Sequence, residues 1–179
     1  MFAAECLLPF EIFKEDVNDI DVSMNAVREL AQKYKASLIA TGSRFAFNAN
    51  DACAFVLSER GYIRYVSRSK YLRDKNGWID FNVPVPKSSV TQRLIQEASE
   101  TENQDEIQTN VWFNDGFRNF AMLTEASILL KEWDQCLSLL WFDNSANAES
   151  EPFDFDEDDE PLLRELDGVL PWPSKRRRK

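Results

Sequence analysis

Residues 53–68, CAFVLSERGYIRYVSR, mark the point where the spacing of apolar residues changes from a helical period of 3.6 towards a period of 2. Two short runs rich in β-branched and aromatic residues flank the turn signal Arg60-Gly61, which predicts an antiparallel hairpin. Four further strand-like runs follow: WIDFNVPV (78–85), IQTNVWF (107–113), FAMLTEASILL (120–130) and QCLSLLWF (135–142).

A helix is predicted in the middle of this series of strands. Ser88 or Ser89 can cap it, its apolar residues lie on one face, and it ends in the polar run of residues 100–106. The order β-β-β-α-β-β-β predicts an α+β fold in which a helix covers one face of a mostly antiparallel sheet.

Helices are predicted upstream of the hairpin. Ser23 can cap one helix and Ser37 a second, over residues 38–47, and the short polar break between them makes a helix-turn-helix unit. Nearer the start, the apolar stripe of residues 2–8 predicts a helix that ends before Pro9, followed by a separate short turn.

Composition divides the chain into three parts. Residues 1–49 are predicted to be helical and residues 50–142 to form the α+β domain. Residues 149–167 then hold ten acidic residues against one arginine, and the chain closes with KRRRK. Such blocks of like charge are typical of solvated segments, so residues 143–179 are predicted to be a disordered tail.

The composition also excludes several kinds of chemistry. The chain of 179 residues has no histidine, which excludes Ser-His-Asp triads, Cys-His nucleophiles and the HExxH zinc motif. It has only five glycines, in no phosphate-binding pattern. We therefore assign no catalytic residue, no metal ligand and no cofactor.

Charge and cysteine spacing bear on location and partners. The three cysteines lie far apart, no apolar run approaches the roughly 20 residues needed to cross a bilayer, and the N-terminus lacks the basic region of a signal peptide. We expect a cytoplasmic protein with no membrane partner. The net charge of −10, and a single cation (Arg44) in the second helix of the helix-turn-helix unit, do not favour nucleic acid.

Four segments together resemble a known family. FAAECLLP (2–9) resembles the FAAELLMP signature that follows the zinc motif in the ImmA/IrrE family of metallo-endopeptidases. Residues 30–45 are similar to that family's helix-turn-helix segment "LA..F.VS..A...RL". Residues 61–65 with Arg68-Ser69 are similar to the start of its GAF-like region, and residues 137–141 to the strand that closes it.

The catalytic part of that family has no counterpart here. Family members carry HExxH and a glutamate ligand ahead of the FAAE segment, and this chain begins after both, while Glu5 matches a glutamate that binds no metal. The resemblance implies a non-catalytic regulatory or partner-recognition protein, corresponding to the C-terminal portion of an intracellular regulator. The alternative is part of a zinc-dependent metallo-endopeptidase whose HExxH portion is missing from this chain or is supplied by another chain.

Two sets of residues are candidates for binding. A GAF-like domain can hold a ligand among its aromatic residues, and the polar candidates for such a site are Tyr65, Arg68 and Ser69. In the family, the FAAELLMP helix packs against the helix that bears HExxH. The resemblance therefore implies an apolar face here, formed by Phe2, Cys6, Leu7 and Phe10. A separate protein partner, self-association or the helical hairpin of residues 27–45 would cover it.

Overall fold

The predicted hairpin forms one edge of a five-stranded antiparallel sheet. The structure is a computed structural model that describes residues 10–98, 101–114, 117 and 120–142. The strands are β1 (Cys53–Glu59), β2 (Tyr62–Arg68), β3 (Asn103–Gln108), β4 (Met122–Leu130) and β5 (Gln135–Trp141), in the spatial order β2-β1-β5-β4-β3. Arg60 and Gly61 both have positive φ, as a two-residue turn between right-twisted strands requires.

Five α-helices surround the sheet in the described part of the chain. They are α1 (Phe10–Asn18), α2 (Met24–Tyr34), α3 (Leu38–Asn48), α4 (Lys70–Asp74) and α5 (Val90–Glu97). The predicted caps are confirmed, because the side chains of Ser23, Ser37 and Ser89 each accept a hydrogen bond from the backbone N–H three residues on. None of the described helices has the length and apolar composition that a membrane crossing requires.

Helices α1, α2 and α3 pack on one face of the sheet. Phe13 of α1, Val27 of α2 and Phe45 of α3 are fully buried in the same cluster as Phe55 of β1 and Leu139 of β5. Residues on both sides of the predicted boundary at residue 49 therefore share one hydrophobic core.

Helix α3 lies unusually close to β1 in this layer. A β-carbon at Gly42 would overlap the ring of Phe55, so only glycine permits this approach. The spacing between α3 and the sheet is set by this contact.

The opposite face of the sheet is covered by α4, by the segments that connect the strands, and by the start of α5. Its core brings together Val56 of β1, Leu140 of β5, Leu72 of α4 and Val90 of α5. Every residue from Cys136 to Leu140 is buried, as expected for a central strand enclosed on both faces. The fold is thus α+β, with helices on one face and a mixed layer on the other.

The prediction of a strand over residues 78–85 is wrong. This segment forms no strand of the sheet: it makes an isolated bridge, Tyr62 to Pro84, and three backbone hydrogen bonds with Gly61 and Ile63. Pro84 and Pro86 lack the N–H that a ladder needs, and Asn82 has φ of 59°, which breaks the extended backbone.

Two other predicted elements differ from the structure. Strand β3 begins at Asn103, within the polar run in which the helix is predicted to end. The predicted strand 107–113 contains the 3₁₀ turn Thr109–Val111. Because β3 is an edge strand with one exposed face, its sequence is mostly polar. The short turn expected after Pro9 is helix α1. The predicted helix of residues 2–8 and the predicted tail of residues 143–179 lie outside the described residues.

A buried carboxylate joins the layers. Glu125 of β4 is fully buried, and its Oε1 accepts hydrogen bonds from Thr91 N (2.8 Å), Thr91 Oγ1 (2.7 Å) and Ser127 Oγ (3.0 Å). Its Oε2 accepts from Val90 N (3.0 Å) and Trp112 Nε1 (2.8 Å). Glu125 therefore takes up two backbone N–H groups of the first turn of α5, which no carbonyl of that helix can satisfy.

Replacing Glu125 tests this assembly. We expect Glu125→Gln to lower the free energy of unfolding by about 2–4 kcal/mol, because the amide NH₂ accepts no hydrogen bond and leaves buried donors unpaired. Urea denaturation measures the change. The exposed Glu106 of β3 is the matched control, and Glu106→Gln should change stability by no more than about 0.5 kcal/mol. Equal effects of the two substitutions would contradict this role.

Helices α1 and α2 are joined by a second polar group. Asp16 of α1 accepts hydrogen bonds from Lys33 Nζ (2.6 Å) and from the Tyr34 hydroxyl of α2. These bonds, that from Lys33 above all, lower the pKa of Asp16. Burial and the hydrogen bond to Asp16 raise the pKa of Tyr34 to about 12.

The raised pKa of Tyr34 predicts a loss of stability at alkaline pH. The folded protein retains the tyrosine proton to a higher pH than the unfolded chain, so this contribution is complete below pH 10 and is lost as the pH rises towards about 12. The free energy of unfolding should therefore fall less steeply over this range in Tyr34→Phe than in the wild type. Tyr62→Phe, at an exposed tyrosine, is the control and should keep the wild-type slope.

Candidate functional site: an arginine and aromatic groove beside β2

A groove of about 340 Å³ lies beside the edge strand β2. Strand β2 supplies one wall and the segment that follows α4 supplies the other. The lining residues, which we call the arginine–aromatic groove, are Arg64, Tyr65, Val66, Arg68, Trp78, Ile79 and Phe81.

The groove exists because the segment of residues 79–85 pairs with only the first part of β2. Ile63 N–H donates to Val83 O (2.9 Å), Asn82 N–H donates to Ile63 O (2.7 Å), and Val85 N–H donates to Gly61 O (2.9 Å). At Asn82 the backbone takes a positive φ. On the N-terminal side of Asn82, the backbone of Trp78 is hydrogen-bonded to Asn114 and not to β2. The part of β2 that follows Ile63 therefore borders the groove.

The edge of β2 presents backbone groups to the groove. Ser69 N–H donates to Cys53 O (2.9 Å), and Ser67 and Tyr65 lie opposite Phe55 and Leu57 of β1 in the same register. Hydrogen-bonded and non-hydrogen-bonded pairs alternate along an antiparallel ladder. The N–H and C=O groups of Val66 consequently point away from β1 and towards the groove.

Two arginines are held near the end of β2 by contacts with backbone carbonyls and aromatic rings. Arg68 Nη1 donates to Gly77 O (2.8 Å), and its guanidinium carbon lies 4.2 Å from the centre of the Trp78 ring. Arg73 of α4 donates to Arg68 O, and its guanidinium carbon lies 4.5 Å from the centre of the Phe47 ring. Both rings are about half exposed, Trp78 at 46% and Phe47 at 49%.

Neither Arg68 nor Arg73 has a carboxylate partner among the described residues. Arg28 and Arg93, by contrast, are ion-paired with Glu102 and Asp105. Burial, and then the positive charge of Arg73, lower the pKa of Arg68. In a chain with a net charge of −10, this pair is a local concentration of positive charge whose planar donors suit an anion.

Helix α3 supports the rim of the groove. The Tyr65 hydroxyl lies 2.7 Å from Ser43 Oγ, and Ser67 Oγ donates to Ser43 O (2.7 Å). Phe47, on which Arg73 stacks, belongs to the same helix. The position of α3 on the sheet therefore sets the positions of Tyr65 and Arg73.

The three polar candidates from the sequence have different environments. Tyr65 and Arg68 line the groove. Ser69 is fully buried, where its Oγ caps α4 by accepting from Leu72 N (3.4 Å) and also accepts from Cys53 N (3.3 Å). The structure thus gives Ser69 a capping contact and no position in the groove wall.

The candidate partner face lies mostly outside the described residues. Phe2, Cys6 and Leu7 are in that part of the chain. Phe10 is half-buried at the start of α1, with Lys14 Nζ 5.8 Å from the centre of its ring.

Sequence reasoning missed Arg73, Trp78, Phe81 and Phe47 as parts of the site. One signal could have found them. Residues 60–73 hold four arginines and one lysine and no acidic residue, although acidic residues outnumber basic ones in the whole chain. A count of charged residues in successive segments would have identified residues 60–73. The stacking of Arg73 on Phe47, which is distant in sequence, depends on the fold.

The thiols of Cys53 and Cys136 are buried, and burial raises the pKa of both, to about 12 for Cys136. A buried thiol of this kind is a poor nucleophile and metal ligand. Among residues 10–98, 101–114, 117 and 120–142, no cluster of three or more cysteine, aspartate or glutamate side chains is placed to hold a metal ion.

No protein-family model matches the chain, and a search of curated proteins finds no match. Interpretation of the groove therefore depends on its geometry and charge.

Removal of the Ser69 hydroxyl tests whether this residue acts as the cap of α4. We expect Ser69→Ala to lower the free energy of unfolding by about 1–2 kcal/mol, because the N-terminus of α4 and the Cys53 N–H lose their acceptor. Ser88→Ala, at an exposed serine, is the control and should cost no more than about 0.5 kcal/mol. Thermal unfolding of the two variants makes the comparison, and a Ser69→Ala protein as stable as the control would refute the capping role.

Proposed function

We propose that this chain is a non-catalytic recognition protein that binds an anionic protein partner in the arginine–aromatic groove. The observation that carries this proposal is the adjacent pair Arg68 and Arg73, which has no carboxylate partner within the described residues. Burying part of a guanidinium beside a second one is unfavourable unless a ligand or solvent compensates. A partner carboxylate placed between the two arginines would remove this repulsion.

The exposed rings of the groove also support a recognition role. Arginine and tryptophan are enriched among the residues that contribute most to protein interfaces. Trp78, Phe47 and Phe81, with Phe81 58% exposed, lie around the two arginines. Each arginine stacks on a ring, so its planar donors are held in place before a partner arrives.

The non-catalytic part of the proposal has chemical support. The chain has no histidine, and the described thiols are buried with raised pKa values. Its charge-bearing groove contains arginines and aromatic rings, which bind and orient a ligand and are poor acids or bases at neutral pH.

The resemblance to ImmA/IrrE regulators gives this proposal a biological setting. In that setting, the α2–α3 pair corresponds to the helix-turn-helix segment, the sheet to the GAF-like region, and the protein to a cytoplasmic regulator. The antiparallel sheet with covering helices agrees with the architecture that the resemblance implies.

Affinity capture with matched variants tests the proposal. The full chain is immobilised as wild type, as R68Q/R73Q, and as R28Q/R93Q, which removes the same charge from two arginines that are already ion-paired. Proteins retained by the wild type and by R28Q/R93Q should be lost from R68Q/R73Q, because only the last variant removes the two arginines that have no carboxylate partner among the described residues. Circular dichroism establishes that all three proteins are folded.

Retention of the same proteins by all three would contradict the proposal. Hydrolysis of a peptide by the purified chain would contradict its non-catalytic part.

A further inference from the structure

The geometry points to an extended acidic peptide segment of the partner, which adds to the sheet as a strand along the edge of β2 at Val66 and places its carboxylates on Arg68 and Arg73. This inference rests on the proposed function, because it names the chemistry of the partner that occupies the arginine–aromatic groove. Three features of the described residues carry it: the open edge, the charge and the apolar lining.

The first feature is the edge of β2. β2 is the last strand on its side of the sheet, and residues 82–85 occupy only the part of its edge between Gly61 and Ile63. The N–H and C=O of Val66 face the groove in the alternation of the ladder. An extended peptide can continue the row of hydrogen bonds that Val83 begins, which is the usual way that an open edge binds a partner chain.

The second feature is the charge at the end of this edge. Arg68 and Arg73 follow Val66 along the chain, and their rings and carbonyl contacts fix the two guanidiniums without a carboxylate. The planar fork of arginine matches a carboxylate with two parallel hydrogen bonds. An aspartate or glutamate in the added strand would therefore bind at this end of the groove.

The third feature is the apolar lining between the two walls. Val66, Ile79 and Phe81 line the groove, and its volume of about 340 Å³ lies at the lower end of the range for ligand sites. Side chains of a strand alternate between two directions, so an apolar residue next to an acidic one can enter this space while the acid turns to the arginines. The lining thus favours an acidic peptide that contains an apolar or aromatic residue.

Single-stranded nucleic acid is the competing ligand, because it also binds to arginines and stacks on exposed rings. It offers no row of amide groups to the open edge at Val66. It also carries one negative charge per nucleotide towards a protein of net charge −10. The edge and the overall charge both favour the peptide.

Peptide selection tests the chemistry of the ligand. A random display library of short peptides is selected on the immobilised full chain, and the enriched peptides are measured by fluorescence anisotropy. We expect enriched sequences with acidic residues next to apolar or aromatic ones. Their Kd should rise about 10-fold to 100-fold in R68Q/R73Q, because charge-assisted hydrogen bonds are lost, and remain unchanged in R28Q/R93Q.

The backbone arrangement has a separate readout. On peptide binding, amide hydrogen exchange at Val66 should slow, and N-methylation of alternate peptide residues should raise the Kd, because it removes ladder donors. The amide of Val56, which lies opposite Val66 in β1, is a control within the sheet and should show no comparable change.

Each outcome decides a different statement. Arginine-dependent peptides that leave the exchange of Val66 unchanged and tolerate N-methylation would overturn strand addition, while the proposed function stands. Enrichment of neutral or basic peptides would overturn the acidic peptide as the ligand. Tighter binding of oligothymidylate than of the selected peptides, measured by displacement, would overturn it as well. If R68Q/R73Q changes neither the retention of captured proteins nor the Kd of the selected peptides, the proposed function fails as well.

Discussion

The carboxylate of Glu125 is the constraint on which the assembly of the sheet depends. A fully buried carboxylate is stable only if donors surround it, and the donors here come from β4, from the first turn of α5 and from Trp112. The donors of α5 lie 34 and 35 residues from Glu125 in sequence, and they reach it only in the complete fold. The interaction therefore fixes α5 to the sheet and makes the correct register of β4 a condition for satisfying the charge.

The elements whose signals are local could be predicted from the sequence. The β1–β2 hairpin, the serine caps of α2, α3 and α5, and the strands β4 and β5 follow from alternation and capping over a few residues. The segment of residues 78–85 could not, because its apolar residues resemble those of a strand, whereas only Ile79 and Val85 enter the core and no ladder forms. The burial of Glu125 could not be predicted either, because a carboxylate at an inward position of a strand is stable only with donors some 35 residues away.

The candidate site divides in the same way. Tyr65 and Arg68 lie on a strand that the sequence identifies, so their positions on β2 could be anticipated. The pairing of Arg68 with Trp78, and of Arg73 with Phe47, needs the positions of α3, of α4 and of the segment after it. Ser69 shows the reverse case: a polar residue next to the site whose hydroxyl is fully used by local backbone groups.

The close approach of Gly42 to Phe55 has a consequence for the entropy of binding. Because α3 cannot move away from the sheet without losing this contact, Ser43 and Phe47 are held at fixed heights above β2. For the ligand of the proposed function, these contacts reduce the ordering of Tyr65 and Arg73 that association requires. Under the proposed function, the absence of a β-carbon at Gly42 thereby lowers the conformational cost of recognition at the surface.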